Sequence, residues 1–279
     1  TRRRLSVLVL CVCLAPLLGI GASGRQAGGS LRATGPERDI VGLERREDDI
    51  GDGTGVSVDA LSQDATAGDL GTASSVLTWQ IETVHDDDPP ADLGQHSSLA
   101  LDQDGRPHVA YYDAYHEDLR YAAYDGSQWI SETVDSGGNV GQYASLTLDS
   151  EDLPRISYYD ATHGNLKVAS YDGEAWQTSP IVEDGDVGQF SSLAVDADDC
   201  LHISYYDATD SALKYVRHSD TMHAEQTVDN TGNAGLYSSL ALRSDGQPCI
   251  AYVSAPDEVK CACSDGKTWV VDPVHDALG

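Results

Sequence analysis

Ser97-Ser98-Leu99-Ala100-Leu101-Asp102 returns as Ala144-Ser145-Leu146-Thr147-Leu148-Asp149, then as Ser191-Ser192-Leu193-Ala194-Val195-Asp196 and as Ser238-Ser239-Leu240-Ala241-Leu242-Arg243. The starting positions 97, 144, 191 and 238 are 47 apart. The segment that follows keeps step: His108 to Asp113, Arg155 to Asp160, His202 to Asp207 and Cys249 to Ser254. A third block, Leu119 to Gly126, is copied clearly at Leu166 to Gly173 and in degraded form at Leu213 to Asp220 and Val259 to Gly266. The fourth opens on Trp79, Trp129, Trp176, His223 and Trp269, each followed within a few residues by a valine. Internal periodicity of this kind limits the chain to architectures built from one repeated supersecondary unit.

Each block is a short alternating or β-branched run bounded by Gly, Pro, Asp or Asn, which is the pattern of strands joined by tight turns. Helix-pair solenoids are excluded, because no window carries a useful 3.6-residue apolar period. Four strands per unit at this repeat length predict an all-β fold, a β-propeller with four complete four-stranded blades of 47 residues over about 94–275. The Ser-Leu-Ala-Leu segments are expected innermost and the Trp segments outermost. Residues 79–84 are then an orphan outer strand that needs three inner strands, so the repeat predicts part of a larger ring, with a C-terminus cut where the next blade opens.

The turn Tyr-Asp-Gly-x-x-Trp (Tyr124 to Trp129, Tyr171 to Trp176), and Ser264-Asp265-Gly266-Lys267-Thr268-Trp269 most closely, resembles a degenerate Asp-box of sialidase-superfamily propellers. In that family the box joins the third and fourth strands at the rim away from the active site. The resemblance spans Trp79 to Val274 and implies the fold rather than an activity. The 47-residue period is also similar to that of tachylectin-2-type lectins.

The two ends read differently. Arg2 to Arg4 precede an apolar run from Leu5 to about Ala22 that exits through small residues, so residues 1–24 read as a secretory signal peptide or signal anchor. Residues 25–75 are Gly-, Ala- and Asp-rich without a sustained apolar period and read as a disordered acidic linker, leaving 76–279 for the propeller. Asp49 to Asp59 has a faint likeness to a calcium loop but lacks the closing glutamate of an EF-hand, so no cofactor is expected. Net charge is −29, with four lysines in the chain against 46 acidic residues, which argues against nucleic acid or anionic membrane as partner. A secreted or cell-surface location follows from the N-terminus, with the membrane touched only through a retained anchor.

Beyond the apolar run lie Cys200, Cys249, Cys261 and Cys263. Export permits disulfides, and Cys249 with Cys263 on the adjacent strand is the preferred cross-strand pair; a zinc site is disfavoured by spacing. No serine elbow, phosphate loop or His-x-x-x-His pair is present, and Arg106, Arg120, Arg155, Arg217 and Arg243 fall at unrelated positions of the repeat, so no convergent set and no enzyme is expected. What recurs on the face carrying the strand-opening loops is Gln95, Gln142 and Gln189 beside the aromatics Tyr143, Phe190 and Tyr237, with Asp113, Asp160 and Asp207 ending the second strands. Rings that stack and amides or carboxylates that fix hydroxyls suit sugars. Asp after a strand also caps its own turn, and rings also fill space between blades. The expectation is an extracellular module binding glycan or protein, against two rivals: a fragment of a sialidase-like glycoside hydrolase, and a structural stalk without ligand.

Overall fold

The computed structural model describes residues 9–12, 80–84 and 93–274. All regular structure among the described residues is β. The strands β1 (Val9–Val12) and β2 (Gln80–Thr83) pair antiparallel. Four four-stranded antiparallel sheets follow. The first comprises β3 (Leu93–Leu101), β4 (Pro107–Asp113), β5 (Asp118–Tyr124) and β6 (Trp129–Asp135). The second holds β7 (Val140–Leu148), β8 (Pro154–Asp160), β9 (Asn165–Tyr171) and β10 (Trp176–Val182). The third holds β11 (Val187–Val195), β12 (Leu201–Asp207), β13 (Ala212–Ser219) and β14 (Met222–Asp229). The fourth holds β15 (Ala234–Leu242), β16 (Pro248–Ser254), β17 (Glu258–Ser264) and β18 (Trp269–Pro273). Each sheet is a meander in chain order, and the inner strands β3, β7, β11 and β15 neighbour one another in turn. The chain is a β-propeller of four complete blades.

Burial explains the residue types in each strand. In the first three blades the second strands are covered on both faces: Val109, Ala110, Tyr111 and Tyr112 are all buried, as are Ile203, Tyr205 and Tyr206. The fourth strands lie at the rim and alternate freely with solvent; β10 buries Val182 alone. The core is therefore distributed between blades. Leu119, Tyr121 and Val134 of the first blade pack with Val140, Leu146, Ile156 and Tyr158 of the second, and the next two junctions repeat the arrangement.

Two contacts recur at all three junctions, and a third at two of them. A serine of the earlier blade accepts from a leucine N–H of the later one: Leu146 N–H to Ser98 Oγ (2.9 Å), Leu193 N–H to Ser145 Oγ (3.0 Å) and Leu240 N–H to Ser192 Oγ (2.9 Å). Leu119, Leu166 and Leu213, all fully buried, press against Gly141, Gly188 and Gly235 of the following blade. At the rim, Trp176 Nε1–H donates to Glu132 (2.8 Å) and Trp269 Nε1–H to Gln226 (2.7 Å).

The orphan strand takes the place the repeat assigns to it. Trp129 Nε1–H donates to Glu82 on β2 (3.3 Å), and Val84 packs with Leu93, Val109, Tyr111 and Ala122. Thus β2 occupies an outer-strand position ahead of the first blade. Of the signal-type segment 1–24 only Val9–Val12 is described, and the linker 25–75 lies outside the described residues. No helix among the described residues is long and apolar enough to cross a membrane. In the fourth blade Cys249 and Cys263, directly paired across β16 and β17, are joined by a disulfide, while Cys200 and Cys261 are free.

Candidate functional site

The inner strands carry the recurrent surface. Each opens with a bulge: the pairing of β7 with β8 shifts register between Val140 and Gln142 and again between Gln142 and Ser145, and the other three inner strands do the same at equivalent residues. The extra residue is an aromatic in left-handed backbone: His96 (φ 52°), Tyr143 (54°), Phe190 (53°) and Tyr237 (53°). Non-glycine residues rarely adopt that conformation, and a bulge uses it to re-aim a side chain. Here it turns four rings into one row. Centroids lie 4.5 Å apart from His96 to Tyr143, 4.5 Å from Tyr143 to Phe190 and 4.6 Å from Phe190 to Tyr237, each pair tilted by about 50°. The row floors a shallow depression of about 370 Å³ together with Ser97, Ala144, Ser191 and Ser238. Tyr237 is 69% exposed. His96 extends the row into the first blade, a position that the sequence pattern of Tyr and Phe did not include.

Gln142 and Gln189, each the residue before a ring, are held in their own frame and do not line the depression. Gln142 Nε2–H donates to Asn139 Oδ1 (3.0 Å), which also accepts from the Tyr112 hydroxyl of the preceding blade (2.9 Å). One blade on, Gln189 donates to Asp186 (3.3 Å), which accepts from Tyr159 (2.6 Å). In the fourth blade Leu236 replaces the glutamine, while Tyr206 still donates to Asn233. Gln95 stands at the equivalent half-buried place in the first blade.

The three aspartates lie apart from the row in character. Asp113 is fully buried and accepts from the N–H groups of Tyr115 (3.0 Å) and His116 (3.1 Å) and from His116 Nδ1 (2.7 Å). Asp160 holds Thr162, His163 and the His163 ring in the same way. Asp207 caps Asp210 N–H (3.0 Å) and faces Lys214 Nζ at 3.4 Å. Their carboxylates accept from the N–H groups of their own turns and so hold the loops in place.

The opposite face holds what the repeat concealed. A cleft of about 740 Å³ between the third and fourth blades is lined by Asp196, His202, Tyr215, Arg217, Gln226 and Arg243, and one of about 890 Å³ lies between the second and third. Arg217 on β13 and Arg243 after β15 occupy different repeat positions, yet blade packing brings both to one cavity. Asp196 accepts from His202 Nε2 (3.0 Å), Arg217 (2.6 Å), Cys200 N–H (3.0 Å) and Asp198 N–H (3.0 Å). Burial works to raise its pKa, but these four donors prevail and hold the carboxyl at about 2. Burial keeps His202 below its usual value against the pull of Asp196, so the neutral ring donates through Nε2 and accepts the Tyr215 hydroxyl at Nδ1 (2.7 Å).

A carboxyl depressed in the fold stabilises above its unfolded value of about 3.9 and loses that stabilisation as pH falls toward its folded value. Acidification from pH ~5 to ~2 is expected to remove about 1 kcal/mol at Asp196 after solvent screening. Asp196→Asn should flatten that part of the melting-temperature profile. Equal acid sensitivity of the two proteins would refute the assignment. Among the described residues no group of three or more His, Cys, Asp or Glu side chains is placed to hold a metal ion.

No protein-family model matches the chain, and no curated protein matches it. Among solved structures it is similar to the SapL1 lectin in complex with α-methyl fucoside (15% identity, TM-score 0.49), over 63% of this chain and 62% of that one. It is also similar to AofleA from Arthrobotrys oligospora (12%, TM-score 0.49), over 64% of this chain and 56% of that one. A GH43 β-1,3-galactosidase is similar at 10% identity and TM-score 0.46, over 64% of this chain and 76% of that one. The chain thus spans less than two thirds of the length of the first two. The propeller assignment rests on its own four sheets and their repeat.

Proposed function

We propose that the protein is an extracellular carbohydrate-binding module whose recognition surface is the row His96, Tyr143, Phe190 and Tyr237. The observation that carries this reading is the row itself: four rings at 4.5–4.6 Å spacing, turned outward by left-handed bulge residues into one depression. Sugars present C–H faces that lie on rings and hydroxyls that bond to amides, and Gln142 and Gln189 each precede a ring in the chain, held by Asn139 and Asp186. Equivalent rings on successive blades let a branched or repeating glycan engage several at once, so affinity grows by multivalency. The basic-then-apolar N-terminus and the Cys249–Cys263 disulfide support an exported protein.

A glycan array probed with the folded protein is expected to give a saccharide ligand. Tyr143→Ala or Phe190→Ala should each weaken binding by about 5- to 10-fold, one stacking contact of about 1 kcal/mol. The double variant should lose far more than either alone. A silent array, or ligands indifferent to both substitutions, would overturn the reading, and turnover of a fluorogenic glycoside would favour the hydrolase instead.

A further inference from the structure

Each blade places a directly paired couple beside the turn of its outer hairpin, one residue on the third strand and one on the fourth. In the first blade the couple is Tyr124 and Trp129, in the second Tyr171 and Trp176, with ring centroids 5.7 Å and 5.4 Å apart. The fourth blade keeps the tryptophan, Trp269, opposite Ser264. In the third blade both members differ together: they are His218 on β13 and His223 on β14. A structural contact goes with the tryptophan. Trp129, Trp176 and Trp269 each donate an indole N–H to the preceding outer strand, and no bond of that kind is made at His223 among the described residues.

What the third blade has instead is two imidazole nitrogens facing each other. The rings lie edge to face with centroids 5.6 Å apart, and Nδ1 is 3.4 Å from Nδ1. Whichever ring carries the proton, a hydrogen bond of that length is weak. The spacing does suit two ligands of one tetrahedral ion: bonds of about 2.0–2.1 Å at the tetrahedral angle set the nitrogens about 3.3–3.4 Å apart. An ion that takes its ligands at right angles, as copper(II) does, would need about 2.9 Å.

The backbone holds the pair at that spacing. Register is kept on both sides of it, Arg217 with Ala224 and Ser219 with Met222, and only Asp220 and Thr221 lie in the turn. Little ordering is left to be done on binding. Charge favours a cation as well. The half-buried His218 lines the 890 Å³ cleft between the second and third blades, together with Asp172, Asp198, Asp199 and Asp220. The two arginines of that cleft are already paired, Arg155 with Asp149 and Arg217 with Asp196 (both 2.6 Å), so its field is acidic.

We infer that His218 and His223 form a zinc-binding site, with the two Nδ1 atoms as its protein ligands. Neutral imidazole is a ligand for zinc, whereas calcium and magnesium take oxygen. Two protein ligands make an open, exchangeable site whose remaining positions go to water or to an oxygen of a bound molecule. The site lies on the face opposite the ring row and does not depend on glycan binding there.

Calorimetric titration of the folded protein with zinc chloride, in buffer containing excess calcium to occupy surface carboxylates, tests this. One equivalent of zinc is expected to bind, and His218→Ala or His223→Ala should each weaken it at least about 10-fold. In urea unfolding, free zinc at about 100 times its Kd should raise the folded-to-unfolded ratio about 100-fold, and that gain should vanish in both variants. The double variant His218→Tyr/His223→Trp installs the couple of the first two blades, so it should fold as wild type and bind no zinc at this site. No zinc uptake by the wild type up to millimolar concentration, or uptake undiminished in either alanine variant or in the Tyr/Trp variant, would overturn the inference.

Discussion

Asp135→Ala is expected to cost about 3–5 kcal/mol of folding stability, far more than loss of an ordinary surface carboxylate. Asp135 ends β6 and reaches across to the second blade, where it accepts from the Tyr158 hydroxyl (2.6 Å) and Lys167 Nζ (2.5 Å), and from Gly137 N–H in its own turn (3.0 Å). Tyr158 is fully buried and the Lys167 side chain only 13% exposed. Burial works to raise the Asp135 pKa, yet the Lys167, Tyr158 and Gly137 donors hold it below the usual range. Alanine strips the acceptor from a buried hydroxyl and leaves a shielded ammonium with Asp160 at 3.8 Å as its remaining counter-charge. The double variant Asp135→Ala/Lys167→Met should recover a substantial part of the loss, since it removes the orphaned charge. The trio recurs where the third blade meets the fourth: Asp229 accepts from the Tyr252 hydroxyl (2.6 Å) and Lys260 Nζ (3.3 Å), so Asp229→Ala should behave alike. Between the second and third blades Val182 stands in the aspartate's place, and Lys214 turns to Asp207 and Asp210 instead. The next residue, Glu183, is exposed and supplies the control. Glu183→Ala should move urea-unfolding midpoints little, and comparable losses for Asp135→Ala and Glu183→Ala would dismiss the trio as a stabilising unit.

Gly188→Ala is expected to destabilise by about 2–4 kcal/mol through two causes acting together. Its φ of 107° is a conformation that L side chains avoid, and a Cβ there would sit 2.8 Å from Leu166 Cα and 2.9 Å from Leu166 Cβ. Those atoms belong to the backbone and root of a fully buried strand residue, so neither can swing aside. Gly173 separates the two causes. It has φ 94° but nothing within 4 Å of the place an alanine methyl would occupy, so Gly173→Ala should show only the backbone cost of about 1 kcal/mol. Thermal or urea unfolding of the pair decides the matter, and equal losses would show that close packing at the junction contributes nothing.

The blade count, the meander order and the inner and outer assignments were legible because duplication repeats both pattern and period. Val109-Ala110-Tyr111-Tyr112 reads as a strand buried on both faces, and Trp129, Trp176 and Trp269 mark the rim. The inner strands begin earlier than the Ser-Ser-Leu motif suggests, at Leu93, Val140, Val187 and Ala234, because a bulge lies between strand start and motif. That bulge was hidden: the sign of φ at Tyr143 or Phe190 follows from strand pairing and has no residue signature when the residue is not glycine. The repeating aspartates were ambiguous in sequence, since a turn cap and a ligand group look alike; only burial distinguishes Asp113 from an exposed carboxylate. The cleft with Arg217 and Arg243 was invisible for the opposite reason. The repeat aligns equivalent residues, whereas that cleft is made by inequivalent ones from facing blades.

The left-handed backbone beneath the four rings sets recognition against robustness. Each ring sits where glycine would sit without strain, and holding a side chain there works against the folded state by about 1 kcal/mol or more per position. Random change at residues 96, 143, 190 and 237 therefore has a downhill direction, toward small residues that firm up the fold while erasing the floor of the depression. A lineage selected only for toughness would go smooth at its axis, and thermal screening of variants would enrich blind proteins over sighted ones.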